Sequence, residues 1–134
     1  MGTYTVPRGH VSLAVPAFWT LRQTNDDIEV EAPSGSTSVI VTAFQRHKGY
    51  RELDAREYLA HFLETATMNG TLKKAKGSRH RAAARYKDPD GDGWNVVFIA
   101  NGSTLLLGTC NSSLPAAHRE VKTGVSVLDS IRLK

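Results

Sequence analysis

The chain has 134 residues, 40% of them hydrophobic and 22% charged, and a formal net charge of +4. That length buries a core without staples, and that composition excludes a disordered chain. No stretch approaches the roughly 20 apolar residues that span a bilayer, and the lone Cys110 excludes an intramolecular disulfide framework.

Residues Met1 to Pro7 show no charged region followed by an apolar one, so no signal peptide is read there. The expectation is one domain over residues 1–134, in the cytoplasm. The alternative is a periplasmic or secreted domain whose leader has been removed.

In chain order, His10 to Pro16 alternates like a strand, and Pro16 ends it before Ala17-Phe18-Trp19. A second strand is expected over Ile28 to Ala32, and the β-branched run Thr37 to Phe44 makes a third. Asp54 with Glu57 three residues on forms a capping box, which starts a helix. Tyr58, Leu59, Phe62, Leu63 and Ala66 give that helix one apolar stripe, and Asn69-Gly70 supplies its stop. Strands follow at Thr71 to Lys76, Arg79 to Lys87, Gly93 to Ala100 and Ser103 to Cys110. Asn101-Gly102 is a two-residue hairpin signal between the last two. Pro115 suits the first turn of a second helix, with Ala117, Val121, Val125 and Leu128 on its buried side and Gly124 weakening its middle. Ile131 continues a short apolar tail. Strands gathered around two separated helices predict an α+β class with a mainly antiparallel sheet.

Segment 79–101 is the most informative. Between Thr65 and Lys87 there is no acid, while Lys73, Lys74, Lys76, Arg79, Arg81, Arg85 and Lys87 supply seven of the 17 Lys and Arg. The block lacks the interleaved aromatics on which single-stranded nucleic acid stacks, since only Tyr86 lies within it, so a nucleic-acid partner is not expected. Asp88-Pro89-Asp90-Gly91-Asp92-Gly93 matches the opening of a calcium loop, but Ile99 stands where the bidentate Glu is required. The same residues make any polar hairpin tip. A plain turn is therefore expected, without calcium.

No other chemistry is announced. His10, His47, His61, His80 and His118 form no HExxH or CxxC-type arrangement. Glu57 and His61 stand i, i+4 on the first helix, as a surface ion pair does. There is no GxSxG elbow and no phosphate-binding glycine loop, and Cys110 has apolar neighbours like a buried, inert thiol. No catalytic residue, metal or cofactor is expected.

Small-to-large matching sets the hairpin register. Pairing Tyr86 with Trp94 puts Ala84 by Val96 and Ala82 by Phe98, whereas a one-residue slip would turn Arg85 and Lys87 into the core. A two-residue turn at Asn101-Gly102 would then set Phe98 against Leu105 and Val96 against Leu107. The opposite face collects Val97, Ile99, Leu106 and Ala83, flanked by Arg81 and Arg85. An antiparallel sheet needs only one apolar face. This second one is covered either by the chain's own N-terminal strands, by a homodimer partner, or by an apolar segment of another protein.

Val11-Ser12-Leu13-Ala14-Val15-Pro16-Ala17-Phe18-Trp19 resembles the opening strand, proline and tryptophan of the Mog1/PsbP/DcrB-like superfamily. The helix around Tyr58 to Phe62, the strands from Thr71 and the closing Val127-Leu128-Asp129-Ser130-Ile131 follow in the order of that family. The resemblance implies a curved antiparallel sheet flanked by helices. It also implies a non-enzymatic binder, most similar among members to the effector chaperones of type VI secretion, which are dimeric. The sequence lacks the lipobox cysteine of the lipoprotein members. The expectation is therefore a non-catalytic protein-binding domain, an adaptor or chaperone, using Arg81, Ala83, Arg85, Val97, Ile99 and Leu106. Its alternative is an extracytoplasmic accessory domain, and a further one is an enzyme with a dispersed site.

Overall fold

Two antiparallel meanders lie side by side and share one sheet. The computed structural model describes residues 2–6, 9–24, 27–45, 53–66, 71–102 and 104–133. The first meander is β3 (Thr20–Gln23), β4 (Asp27–Glu31) and β5 (Thr37–Gln45). The second is β6 (Thr71–Gly77), β7 (Arg81–Lys87), β8 (Gly93–Asn101) and β9 (Thr104–Ser112). They join through β5 and β9, giving the order β3-β4-β5-β9-β8-β7-β6 with every neighbour antiparallel. Helix α1 (Ala55–Ala66) lies between the meanders in sequence, and α2 (Arg119–Ser130) follows the second. A small sheet, β1 (Gly2–Val6), β2 (Gly9–Leu13) and β10 (Arg132–Leu133), runs in the order β1-β2-β10. The α+β class with a mainly antiparallel sheet is thus what the chain adopts. Strands β1, β3 and β10 carry no signal that the sequence pattern made readable.

The β7–β8 register is the expected one, with Tyr86 opposite Trp94, Ala84 opposite Val96 and Ala82 opposite Phe98. Tyr86 and Trp94 stack almost parallel, 6.0 Å between centroids and 4° between planes. The β8–β9 register differs from expectation by two residues. Asn101 pairs with Thr104, so Phe98 meets Leu107, not Leu105. Gly102 takes φ +60°, the left-handed value that a two-residue hairpin needs at its first turn position. A shift of two leaves every side chain on its expected face.

The large sheet separates two cores. On one face α1 packs on β7 and β8, where Leu53, Ala55 and Leu59 meet Ala82, Ala84, Tyr86, Val96 and Phe98. The small residues of β7 leave room for Phe62, which meets Tyr86 and Phe98 edge-on at 6.3 and 5.8 Å. Asp54 caps α1, its Oδ1 accepting from the Arg56 N–H at 3.0 Å. The Asn69-Gly70 stop and His47 lie outside the described residues.

On the other face α2 packs on β5 and β9 and also touches β2. Val11, Leu13, Ile28, Val30, Val39, Val41, Leu106, Val127 and Ile131 form this core, and most are wholly buried. The helix begins later than Pro115 suggested. His118 is its N-cap, with Nδ1 accepting from the Glu120 N–H at 3.0 Å, and Pro115 sits in the preceding turn. Its buried stripe is Val121, Gly124, Val127 and Leu128, while Val125 is half-buried and Ala117 is exposed outside the helix. Gly124 is there for contact: a Cβ on it would lie 2.6 Å from Cys110 Sγ.

Candidate functional site

A sheet of seven strands is roughly 29 Å wide, and a helix covers only about 10 Å of it. Neither face can therefore be closed by one helix. On the α1 face, β3 to β5 stay open, and polar groups there satisfy one another. Arg22 pairs with Glu29 at 2.9 Å, and Thr42 donates to Asp27 at 2.6 Å. On the α2 face the open part is the β6–β7 edge, beyond the buried Val97 and Ile99 of β8, and its character is different.

Two cavities follow the border between α2 and that open edge. One, of about 250 Å³, is lined by Lys76, Arg81, Ala83, Arg85, Val97, Val125, Leu128 and Asp129 among others. The second, of about 310 Å³, lies toward the β7–β8 hairpin tip and the 113–116 loop. Arg85 and Asn95 line both, so the two form one groove with an apolar floor and a cationic wall. Among the described residues, no acid lies within ion-pair distance of Lys76, Arg85 or Lys87.

The six residues expected to form a partner-binding face are divided by the fold. Val97, Ile99 and Leu106 are 3%, 8% and 0% exposed and belong to the core beneath α2 and β2. This removes the three from the expected partner-binding face. Of the coverings that the sequence left open, the chain's own is the one adopted, with the N-terminal strand β2 joined by α2, and burying those side chains is worth about 1.5–3 kcal/mol each. Arg81 is structural. Its Nη1 donates to the Ile131 carbonyl at 3.1 Å and its Nη2 to the Leu128 carbonyl at 3.0 Å. Burial, and then the neighbouring Arg132, push its pKa down. Ala83 is half-buried on the groove floor, and Arg85 is exposed at the groove wall. Lys76, Asn95 and Val125 complete the groove and lie outside the six residues expected to bind a partner. The helical pattern places Val125 on the buried stripe of α2, which gives no sign of the groove beside it.

The hairpin tip is organised by Asp88 alone. Its Oδ1 accepts from the N–H groups of Asp90 and Asp92 at 2.9 and 3.0 Å, and its Oδ2 accepts from Trp94 Nε1 at 2.9 Å. The Trp94 bond foremost holds this carboxyl below its ordinary range. Both oxygens serve the turn. Among the described residues, no three His, Cys, Asp or Glu side chains gather as metal ligands do. His61 Nδ1 stands 3.8 Å from Glu64, three residues on along α1. Burial pushes the Cys110 thiol up to about 12, which keeps it neutral and unreactive at physiological pH. No helix among the described residues is long and apolar enough to cross a membrane.

No protein-family model matches the chain, and no curated protein sequence matches it. Its fold is shared with a crystallised protein from Bacteroides thetaiotaomicron VPI-5482, with a TM-score of 0.56 at 12% sequence identity. The match covers 92% of this chain and 45% of that one, so this chain spans less than half of that protein's length. Likeness at that identity concerns the fold and leaves the groove's occupant to be argued from its chemistry.

Proposed function

We propose that the chain is a non-catalytic protein-binding domain, an adaptor or chaperone in the manner of the Mog1/PsbP/DcrB-like superfamily. Its binding surface is the groove between α2 and β6–β8. One observation carries this reading: among the described residues no acid pairs with Lys76 or Arg85, which stand beside the apolar floor of Ala83, Val97, Val125 and Leu128. On the β3–β5 surface Arg22 is paired with Glu29, so bare sheet does not by itself leave cations idle. The occupant that matches is a partner segment carrying carboxylates next to small apolar side chains. Rim cations of this kind steer encounter and select against basic partners.

Three of the residues read from the sequence keep a place in this proposal: Ala83, Arg85 and the floor of Val97. Ile99 and Leu106 do not, and charge introduced at Val97 or Ile99 would test folding, not binding. The test is Lys76→Glu with Val125→Glu, both at the groove and outside the buried core. Products of neighbouring genes are co-expressed with the chain and their binding is measured by calorimetry. The reading expects at least one stable complex, weakened about tenfold or more by the double substitution. A complex indifferent to it would place the interface elsewhere.

A further inference from the structure

The cavity at the hairpin end of the groove differs from the rest of it. It holds about 310 Å³, near the lower end of the roughly 300–1,000 Å³ typical of small-ligand pockets. Trp94, Leu114, Pro115 and Val121 give it apolar walls. Arg85 and Lys87 sit two positions apart on β7 and so share a face, with Asn95 directly across from Arg85 on β8. No hydrogen bond holds the Asn95 amide among the described residues, so its donors and acceptor are free for an occupant.

Among the described residues, no carboxylate lines the cavity beside the two cations. Asp88 is close by in sequence, but its carboxylate is turned into the hairpin tip, where it accepts from the Asp90 and Asp92 N–H groups and from Trp94. Cys110 lies at the base and carries no charge at physiological pH. An Arg–Lys pair with no described acid in ion-pair distance, beside an amide, suits an anion, and Arg matches a carboxylate bidentately. The apolar walls then require that the anion bring an apolar body, since a bare inorganic ion would leave them wet.

We propose that this pocket binds a carboxylate attached to an apolar group about the size of one aromatic ring. The proposal goes beyond the protein-binding reading and does not depend on it. The same chemistry arises from a free aryl or alkyl acid or from the C-terminal residue of a protein.

The experiment titrates 3-phenylpropionate, 3-phenylpropionamide and inorganic phosphate into the full chain, following the Asn95 side-chain and Trp94 indole resonances. The acid is expected to saturate, with the amide and phosphate each about tenfold weaker or more. Arg85→Gln and Lys87→Gln should each weaken the acid while leaving the fold intact, because both side chains are exposed. A peptide ending in phenylalanine with a free C-terminus, compared with its amidated form, separates the two sources. Tighter binding than phenylpropionate assigns the pocket to protein C-termini, and weaker binding assigns it to small acids; either outcome supports the proposal. Equal binding of acid and amide, no saturation in the millimolar range, or indifference to the double variant Arg85→Gln/Lys87→Gln overturns it. Lys76→Glu/Val125→Glu lies outside this cavity, so its effect on partner binding reads the other proposal alone.

Discussion

Arg81 reaches across from β7 to donate to the Leu128 carbonyl at 3.0 Å, closing the C-terminal end of α2. The helix has no basic residue in its own last turn, so this cation supplies in space what the sequence of the helix omits. Arg81→Met keeps much of the stem packing and removes the donors. A loss of about 1–2 kcal/mol in urea unfolding is expected, with an unchanged m-value. An unchanged midpoint would show that water replaces the guanidinium without cost.

Gly124 and Cys110 set the spacing between α2 and the sheet. An alanine at 124 gains helix propensity of about 1 kcal/mol but places its methyl 2.6 Å from the Cys110 sulfur. Gly124→Ala should therefore destabilise by about 1–3 kcal/mol net, measured by denaturant unfolding. Cys110→Ala removes the obstructing sulfur, so the double variant should recover part of that loss as a coupling energy above about 0.5 kcal/mol. Strict additivity would mean that α2 simply shifts away.

Phe18 holds φ +69° and is 91% exposed in the turn closed by the Trp19 N–H on the Pro16 carbonyl at 3.2 Å. A left-handed aromatic is strained, and this one buries nothing in exchange. Phe18→Gly should stabilise the chain by about 0.5–1 kcal/mol, read as a higher melting temperature. No gain would mean that the loss of chain entropy restriction cancels the relief.

Asp54 joins the cap of α1 to Arg56, whose Nη2 lies 2.8 Å from Oδ2. The Arg56 hydrogen bond lowers the carboxyl from its ordinary 3.8 to about 2. A carboxyl whose folded pKa is depressed stabilises above its unfolded value, and that contribution is lost as the pH falls through the folded one. Melting temperature should therefore drop between about pH 4 and pH 2. Asp54→Asn should flatten that decline, and an identical decline would assign it to other carboxyls such as Asp88.

Much of the fold was legible where side-chain size carried the information. The Ala82-Ala84-Tyr86 series could meet Phe98, Val96 and Trp94 in only one way, and the structure adopts that register. The β8–β9 turn was misplaced because Asn101-Gly102 is the stronger local signal, yet the ladder continues through Asn101 to Thr104. His118 was unreadable as a cap because histidine seldom takes that place. The candidate site was half visible. Arginines beside small apolar residues on β7 were apparent, but a strand pattern cannot reveal which helix lies over it. The covering of Val97, Ile99 and Leu106 by α2 is a tertiary fact, and so is the groove left beside Val125.

The central claim is that partners bind between α2 and β6–β8, and hydrogen–deuterium exchange of a co-purified complex tests it most directly. The account predicts new protection in β7 around Ala83 and Arg85 and in α2 around Val125, with β3 and β4 unchanged. Protection confined to the β3–β5 surface or to α1, with β7 and α2 exchanging as in the free chain, would contradict it.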